Sequence, residues 1–374
     1  MGSIDSRPAV DRATMVGNTV VRRWAADVDG EGRFPHEAVD ALCHSRLLSA
    51  TVPVEYGGDG VTSVDACEIV RTLARSCTST ALVYAVHTAC VFALVRHTRD
   101  ESVSGLLRDI AENQLLLTFL EPVSEPLDGI RTAHRDGASD VHFAPFGTNA
   151  DVVLVRVGAE SAGNDSGFRA LRSCDVSLIR DQKRGGLGFR GIDWDSYSLS
   201  WVPETGLPLA DGYRAVALDT LYPAVHLLAS AAWLGIGDAA IATVDRYVAE
   251  YGDERPGKYR RDSRRLSEMR AVHDTLVGRI QEYAQDCALR GEGHRAGCTE
   301  YEALGDMVDA ATKGVRGVVS DALVVCGMAG YDENGSYSLG KEIRDVLGAK
   351  VFLDEFPFDA WAGVWPEVPG ETAS

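Results

Sequence analysis

Several side chains in this sequence could do chemistry, and each also has an ordinary structural reading. His226 sits in the apolar run from Tyr222 to Leu234, where an imidazole either packs as a core group or, when neutral, accepts a proton. Asp354 and Glu355 stand side by side after an amphipathic stretch, and adjacent acids on a loop are first of all solvated carboxylates. Arg255, Lys258, Arg260, Arg261, Arg264 and Arg265 form a basic cluster. It either offsets nearby Asp and Glu on a helix start or docks a phosphate-bearing carrier or cofactor. Between Phe143 and Asp151, the residues Gly147, Asn149 and Asp151 have the types that cap strands in a turn.

The elements that must position these groups are legible as patterns. Residues up to about 112 read as helices: 9–27, 37–48, 63–76, 79–96 and 100–113. The texture then changes to short β-branched or alternating runs, 152–157, 176–179 and 197–202, separated by Gly, Asp and Asn. Helical periodicity returns over 216–251, 262–290, 298–326 and 338–350, followed by a tail carrying Trp361 and Trp365. Helices, then strands, then helices make an α+β protein with a β-domain in the middle.

Composition narrows the function classes. The chain has 374 residues, 45% of them hydrophobic, enough for two or three packed units. Its net charge of −18 repels phosphate polyanions and anionic lipid, so neither nucleic acid nor a membrane is expected as a partner. No uninterrupted apolar run reaches the roughly eighteen residues of a membrane span, and the first residues are polar. The eight cysteines show no CxxC pair and no zinc spacing, which reads as small buried hydrophobes in a reducing, cytoplasmic setting.

The segment Val52-Pro53-Val54-Glu55-Tyr56-Gly57-Gly58-Asp59-Gly60, followed by Leu73-Ala74-Arg75-Ser76-Cys77-Thr78-Ser79-Thr80-Ala81-Leu82, resembles a turn and helix of the acyl-CoA dehydrogenase superfamily. Residues 185–210, 226–248 and 328–349 resemble that family's β-domain closing segment, first bundle helix and last loop-and-helix segment. The resemblance implies an N-terminal helical domain (1–113), a middle antiparallel β-domain (114–213) and a C-terminal four-helix bundle with tail (214–374). It also implies FAD and a glutamate base that takes the α-proton of an acyl thioester. Such a base works when burial against the acyl chain raises its pKa.

Carried over position by position, the family's contacts change character. The Thr-Glu-Pro signature becomes Leu120-Glu121-Pro122, with Ser124 as a replacement donor, and Glu125-Pro126-Leu127 stands where Gly-Ser-Asp is usual. The flavin-facing threonine position falls on Pro145, or on Thr148-Asn149 in a shifted register. The arginine that reaches a neighbouring subunit's cofactor falls on Tyr251, with Arg255 close by, and the later glycine segment contains Gly327. The glutamate falls on Leu353, which leaves Asp354, Glu355 or His226 as the candidate base. The resemblance therefore implies a divergent flavoprotein that oxidises an acyl thioester carried on CoA or on an acyl carrier protein. Two other functions stay open. One is a non-catalytic or half-site subunit paired with an orthodox acyl-CoA dehydrogenase; the other is a flavin-dependent oxygenase on the same fold. Homo-oligomers, or hetero-oligomers with a paralogous chain, are the expected assembly.

Overall fold

The computed structural model describes residues 7–97, 101–120, 138–141, 145–157, 167–182, 184–202, 205–251, 256–289 and 297–356. The first helical run is α1 (Arg7–Val16) and α2 (Arg22–Glu31), joined through a π-helical turn at Gly17–Val21. α3 (His36–His44) stops earlier than its pattern suggests. Arg46 turns left-handed (φ 53°), and Leu47 and Leu48 drop into the core as a turn instead. The Pro/Gly segment then closes on itself: Val61 N–H donates to Ala50 C=O at 2.9 Å, and Arg12 pairs with Asp59.

α4 (Ser63–Ala74), α5 (Thr78–Arg96) and α6 (Glu101–Asn113) complete this helical part. α5 is apolar on every face and lies buried almost throughout, as a helix without a polar stripe must. α5 carries His87, which ties three elements together. Nε2–H donates to Leu48 C=O at 2.7 Å, and Nδ1 accepts the Leu117 N–H at 3.1 Å. One donated and one accepted bond require the neutral ring.

The strands are β1 (Leu117–Leu120), β2 (Ala138–Val141), β3 (Val152–Val157), β4 (Gly167–Arg172), β5 (Val176–Gln182), β6 (Ser196–Trp201) and β7 (Leu207–Gly212). They form a four-stranded sheet ordered β1-β3-β4-β7 and a three-stranded sheet ordered β2-β6-β5. The pairings are antiparallel except that β1 runs parallel to β3, Leu117 facing Val152. The long segment between those strands, which contains β2, gives the chain room for the crossover a parallel pair needs.

A second π-helical stretch (Arg214–Leu221) leads into α7 (Tyr222–Tyr251), followed by α8 (Pro256–Leu289), α9 (Cys298–Cys326), the short α10 (Met328–Tyr331) and α11 (Gly340–Asp354). α5 and the run Arg214–Tyr251 are long and apolar enough to cross a membrane, but 89% and 72% of their apolar windows are buried inside the fold. They are core helices of this protein.

α7 crosses α4 closely. A Cβ on Gly235 would lie 2.4 Å from Arg71 O and 2.5 Å from Ala74 Cβ. One turn on, Asp238 receives Arg71 Nε at 2.7 Å and Nη2 at 2.9 Å, with Arg75 Nε at 3.0 Å. Burial opposes the Asp238 charge, but these guanidinium bonds hold the carboxyl below its usual range.

Two outcomes are expected. Gly235→Ala should push α4 and α7 apart and cost about 1–3 kcal/mol, read as a lower urea midpoint with unchanged far-UV circular dichroism. Burial also lowers the His87 pKa from 6.5 to about 4. The unfolded chain therefore takes up a proton before the folded one does. Stability contributed by neutral His87 is complete above about pH 6.5 and lost towards pH 4, at most about 3 kcal/mol. Urea titrations between pH 7 and 4.5 should show this slope, and His87→Gln should flatten it.

Candidate functional site

The seam between β1, α7 and the end of α11 is filled by aromatic rings. Phe119 meets Phe356 at 5.4 Å between centroids, and Tyr222 lies 6.3 Å and 6.2 Å from these two. The string continues through Phe352 (5.3 Å from Phe356), Trp233 (6.2 Å from Phe352) and Phe189 (5.2 Å from Trp233). All six rings are buried. Such offset and edge contacts add to the area they bury, and they leave this seam filled by side chains.

The candidate base residues meet at this seam with different fates. Leu353 is buried in the core, whereas Asp354 and Glu355 are exposed, Asp354 taking Lys350 Nζ at 3.1 Å. His226 is buried and its Nε2 bonds Phe356 C=O at 2.8 Å. Burial depresses its pKa to about 4, with the Phe356 carbonyl and Asp354 only partly opposing. A neutral imidazole of that pKa clamps the residues just after α11 against α7 and is a feeble proton acceptor near neutrality.

The flavin-edge candidates lie elsewhere. Thr148 and Asn149 form a 3-10 turn held by Asn149 N–H donating to Phe146 C=O at 2.8 Å. Pro145, at the family's threonine position, has its carbonyl taken by Thr118 Oγ1 at 2.8 Å. Thr148 and Asn149 line a cleft of about 560 Å³ with Phe34, Trp194, Arg180 and Arg184. Its far wall is the glycine-rich loop 185–191. A Cβ on Gly188 would lie 2.4 Å from Arg344 O, so only glycine lets this loop lie on α11. Asp345 fixes it there by accepting Phe189 N–H at 2.8 Å. Burial pushes the Asp345 carboxyl up, while Lys341 and that N–H pull it back.

Tyr251 and Gly327 share the opposite end of the bundle from Tyr222, since α7 spans 30 residues or about 45 Å. Tyr251 stacks near Tyr247 (5.2 Å) and Tyr337 (6.0 Å), and Gly327 turns the α9–α10 corner with φ 59°. In the basic cluster, Arg264 bonds Glu268 at 2.9 Å and Arg265 lies 3.4 Å from Asp321, as on a solvated helix face. Glu121, Pro122, Ser124 and Arg255 lie outside the described residues. The aromatic string went unread in the sequence, although Phe352 and Phe356 carried the one-turn spacing that would have marked it.

The described residues do not fit a resident FAD held by the family's contacts. Buried Leu120 offers no side-chain donor, and Pro145 has no N–H. Tyr251 stands at the position of the family's arginine and carries no charge.

Residues 7–114 match the acyl-CoA dehydrogenase N-terminal domain family. A cyclohexane-1-carbonyl-CoA dehydrogenase of Syntrophus aciditrophicus is 26% identical over 93% of this chain and 92% of its own length. The family match thus covers the N-terminal helices, and similarity to a dehydrogenase of the acyl-CoA dehydrogenase superfamily extends over nearly the whole chain. A probable acyl-CoA dehydrogenase of Mycobacterium leprae is 36% identical, but over 25% of this chain and 24% of that protein. Among solved structures, butyryl-CoA dehydrogenase from Megasphaera elsdenii aligns with a TM-score of 0.77 at 17% identity, covering 98% of this chain and 100% of the other. The FMN-bound dibenzothiophene monooxygenase of Paenibacillus sp. A11-2 aligns at 0.74 and 18% identity, covering 95% of each chain. One superfamily fold thus carries dehydrogenases and monooxygenases.

His226→Ala should remove a buried hydrogen bond and leave a cavity, lowering stability by about 2–4 kcal/mol. Activity should then fall only in step with the folded fraction. Full folding with abolished turnover would mark His226 as catalytic instead.

Proposed function

We propose that this protein is a flavin-dependent oxidoreductase of the oxygenase kind, which uses reduced flavin as a co-substrate and not FAD as a resident group. The observation that carries this reading is Leu353 buried at the place of the superfamily's glutamate, beneath the aromatic string. Oxidation of an acyl thioester needs a carboxylate there to take the α-proton and a slot for the acyl chain. Transfer of oxygen from a reduced flavin and dioxygen needs neither. It needs a cleft that binds flavin reversibly, and the Thr148–Asn149 cleft offers hydroxyl, amide and guanidinium donors beside two aromatic faces. The likeness to an FMN-bound monooxygenase over nearly the whole chain supports the same reading.

Acyl-thioester oxidation is the second reading, favoured by the full-length similarity to a cyclohexane-1-carbonyl-CoA dehydrogenase. It would require the base, and with it the flavin, from a paired orthodox subunit.

The test compares the purified chain alone, with FMN or FAD, and with a flavin reductase plus NADH. On the oxygenase reading the chain is colourless as purified and binds added flavin reversibly. Reductase-driven oxygen uptake then rises when an organic substrate is present, and acyl-CoA with an artificial electron acceptor gives no turnover. Tightly held FAD together with an enoyl product would overturn it. Thr148→Val with Asn149→Leu should weaken flavin binding about tenfold without lowering stability.

A further inference from the structure

The largest cleft among the described cavities lies on another face, between the α1–α2 run, α7, the loop before α11, and the start of α11. It encloses about 1010 Å³. Six cations line it in a chain of net charge −18: Arg22, Arg75, Arg190, Arg246, Lys341 and Arg344.

The pairing of these charges decides what the cleft can hold. Each lining carboxylate already has a cation. Asp238 is held by Arg71 and Arg75, Asp245 by Arg270 at 2.6 Å, Asp29 and Glu333 by Arg344, and Glu342 by Lys341 at 3.5 Å. Three guanidinium groups make no ion pair with a carboxylate among the described residues, although Arg246 lies close enough to Glu250 to stabilise its charge. Arg190 donates to Gly30 C=O at 3.2 Å; Arg246 donates to Ser336 C=O at 3.3 Å and lies over the Tyr337 ring. The Arg22 side chain makes no hydrogen bond or ion pair among the described residues. A neutral carbonyl leaves the positive charge of the Arg190 guanidinium uncompensated, and Glu250 offsets that of Arg246 only in part. Arg22, Arg190 and Arg246 come from three separate elements yet face one concave space, and Asn18, Ser76 and Thr243 add neutral donors and acceptors between them.

We propose that this cleft is a binding site for a phosphate-bearing small molecule with a polyhydroxylated body, a nucleotide or a sugar phosphate. Guanidinium forks match phosphate oxygens in geometry and charge, and the hydroxyl and amide groups suit the hydroxyls of a sugar. The site is distinct from the Thr148–Asn149 cleft, with which it shares the wall residues Arg190 and Arg344. It does not depend on the flavin reading.

Isothermal titration of the full chain with ADP, ribose 5-phosphate and adenosine tests the proposal. ADP and ribose 5-phosphate should bind, and adenosine should not. Arg22→Ser and Arg246→Ser, both on exposed positions, should each weaken binding about tenfold. Much tighter binding of ADP marks a nucleotide site; equal binding of the two phosphates marks a sugar-phosphate site, and either outcome supports the proposal. Absence of binding at millimolar concentration, or binding unchanged in both variants, would overturn it.

Discussion

The first half of α7 has no face turned to water, and the rest of the molecule is arranged around that constraint. Residues 225–237 are buried without interruption, so every side of the helix must be covered by something apolar. α4, α5, α8, α9 and α11 all pack on it. The crossing with α4 is close because Gly235 has no side chain, and the Arg71–Asp238 bonds sit beside that contact. A buried ion pair adds little net stability. Here it links α4 and α7 directly at their crossing.

The same constraint shapes the packing at the end of α11. The space beside α7 is filled by aromatic side chains. Here Tyr222 and Trp233 from α7, Phe352 and Phe356 from the end of α11, and Phe119 from β1 close it. A ring that fills a cavity recovers the contacts the void would forgo. Removing the carboxylate at position 353 also removes the cost of burying it. The exchange stabilises the core and gives up an acid.

Charge follows a parallel logic. The buried histidines His87 and His226 are both neutral, each giving a proton to a backbone carbonyl. They work as hydrogen-bonding struts that acid would disable. The acidic surface keeps cations scarce, so clefts in which arginines gather stand out electrostatically from the remainder of the molecule.

The sequence by itself determined the succession of helices, strands and helices, the strands β3, β5 and β6, and the superfamily resemblance, because hydrophobic period and the Pro53–Gly60 and 185–210 segments are local signals. The strands β1, β2, β4 and β7 went unread. It also showed that position 353 carries leucine, since that follows from counting. The early end of α3 was decided by tertiary packing, which drew Leu47 and Leu48 into the core. The parallel β1–β3 pair was likewise out of reach, because strand direction depends on a crossover between segments distant in sequence. The tertiary structure alone showed that Phe119, Tyr222, Trp233, Phe352 and Phe356 touch, that His226 is spent on a backbone carbonyl, and that Thr148 shares a cleft with Arg184. Contacts between residues a hundred or more positions apart leave no periodicity in one chain. They exist only once α7 has drawn its neighbours around itself.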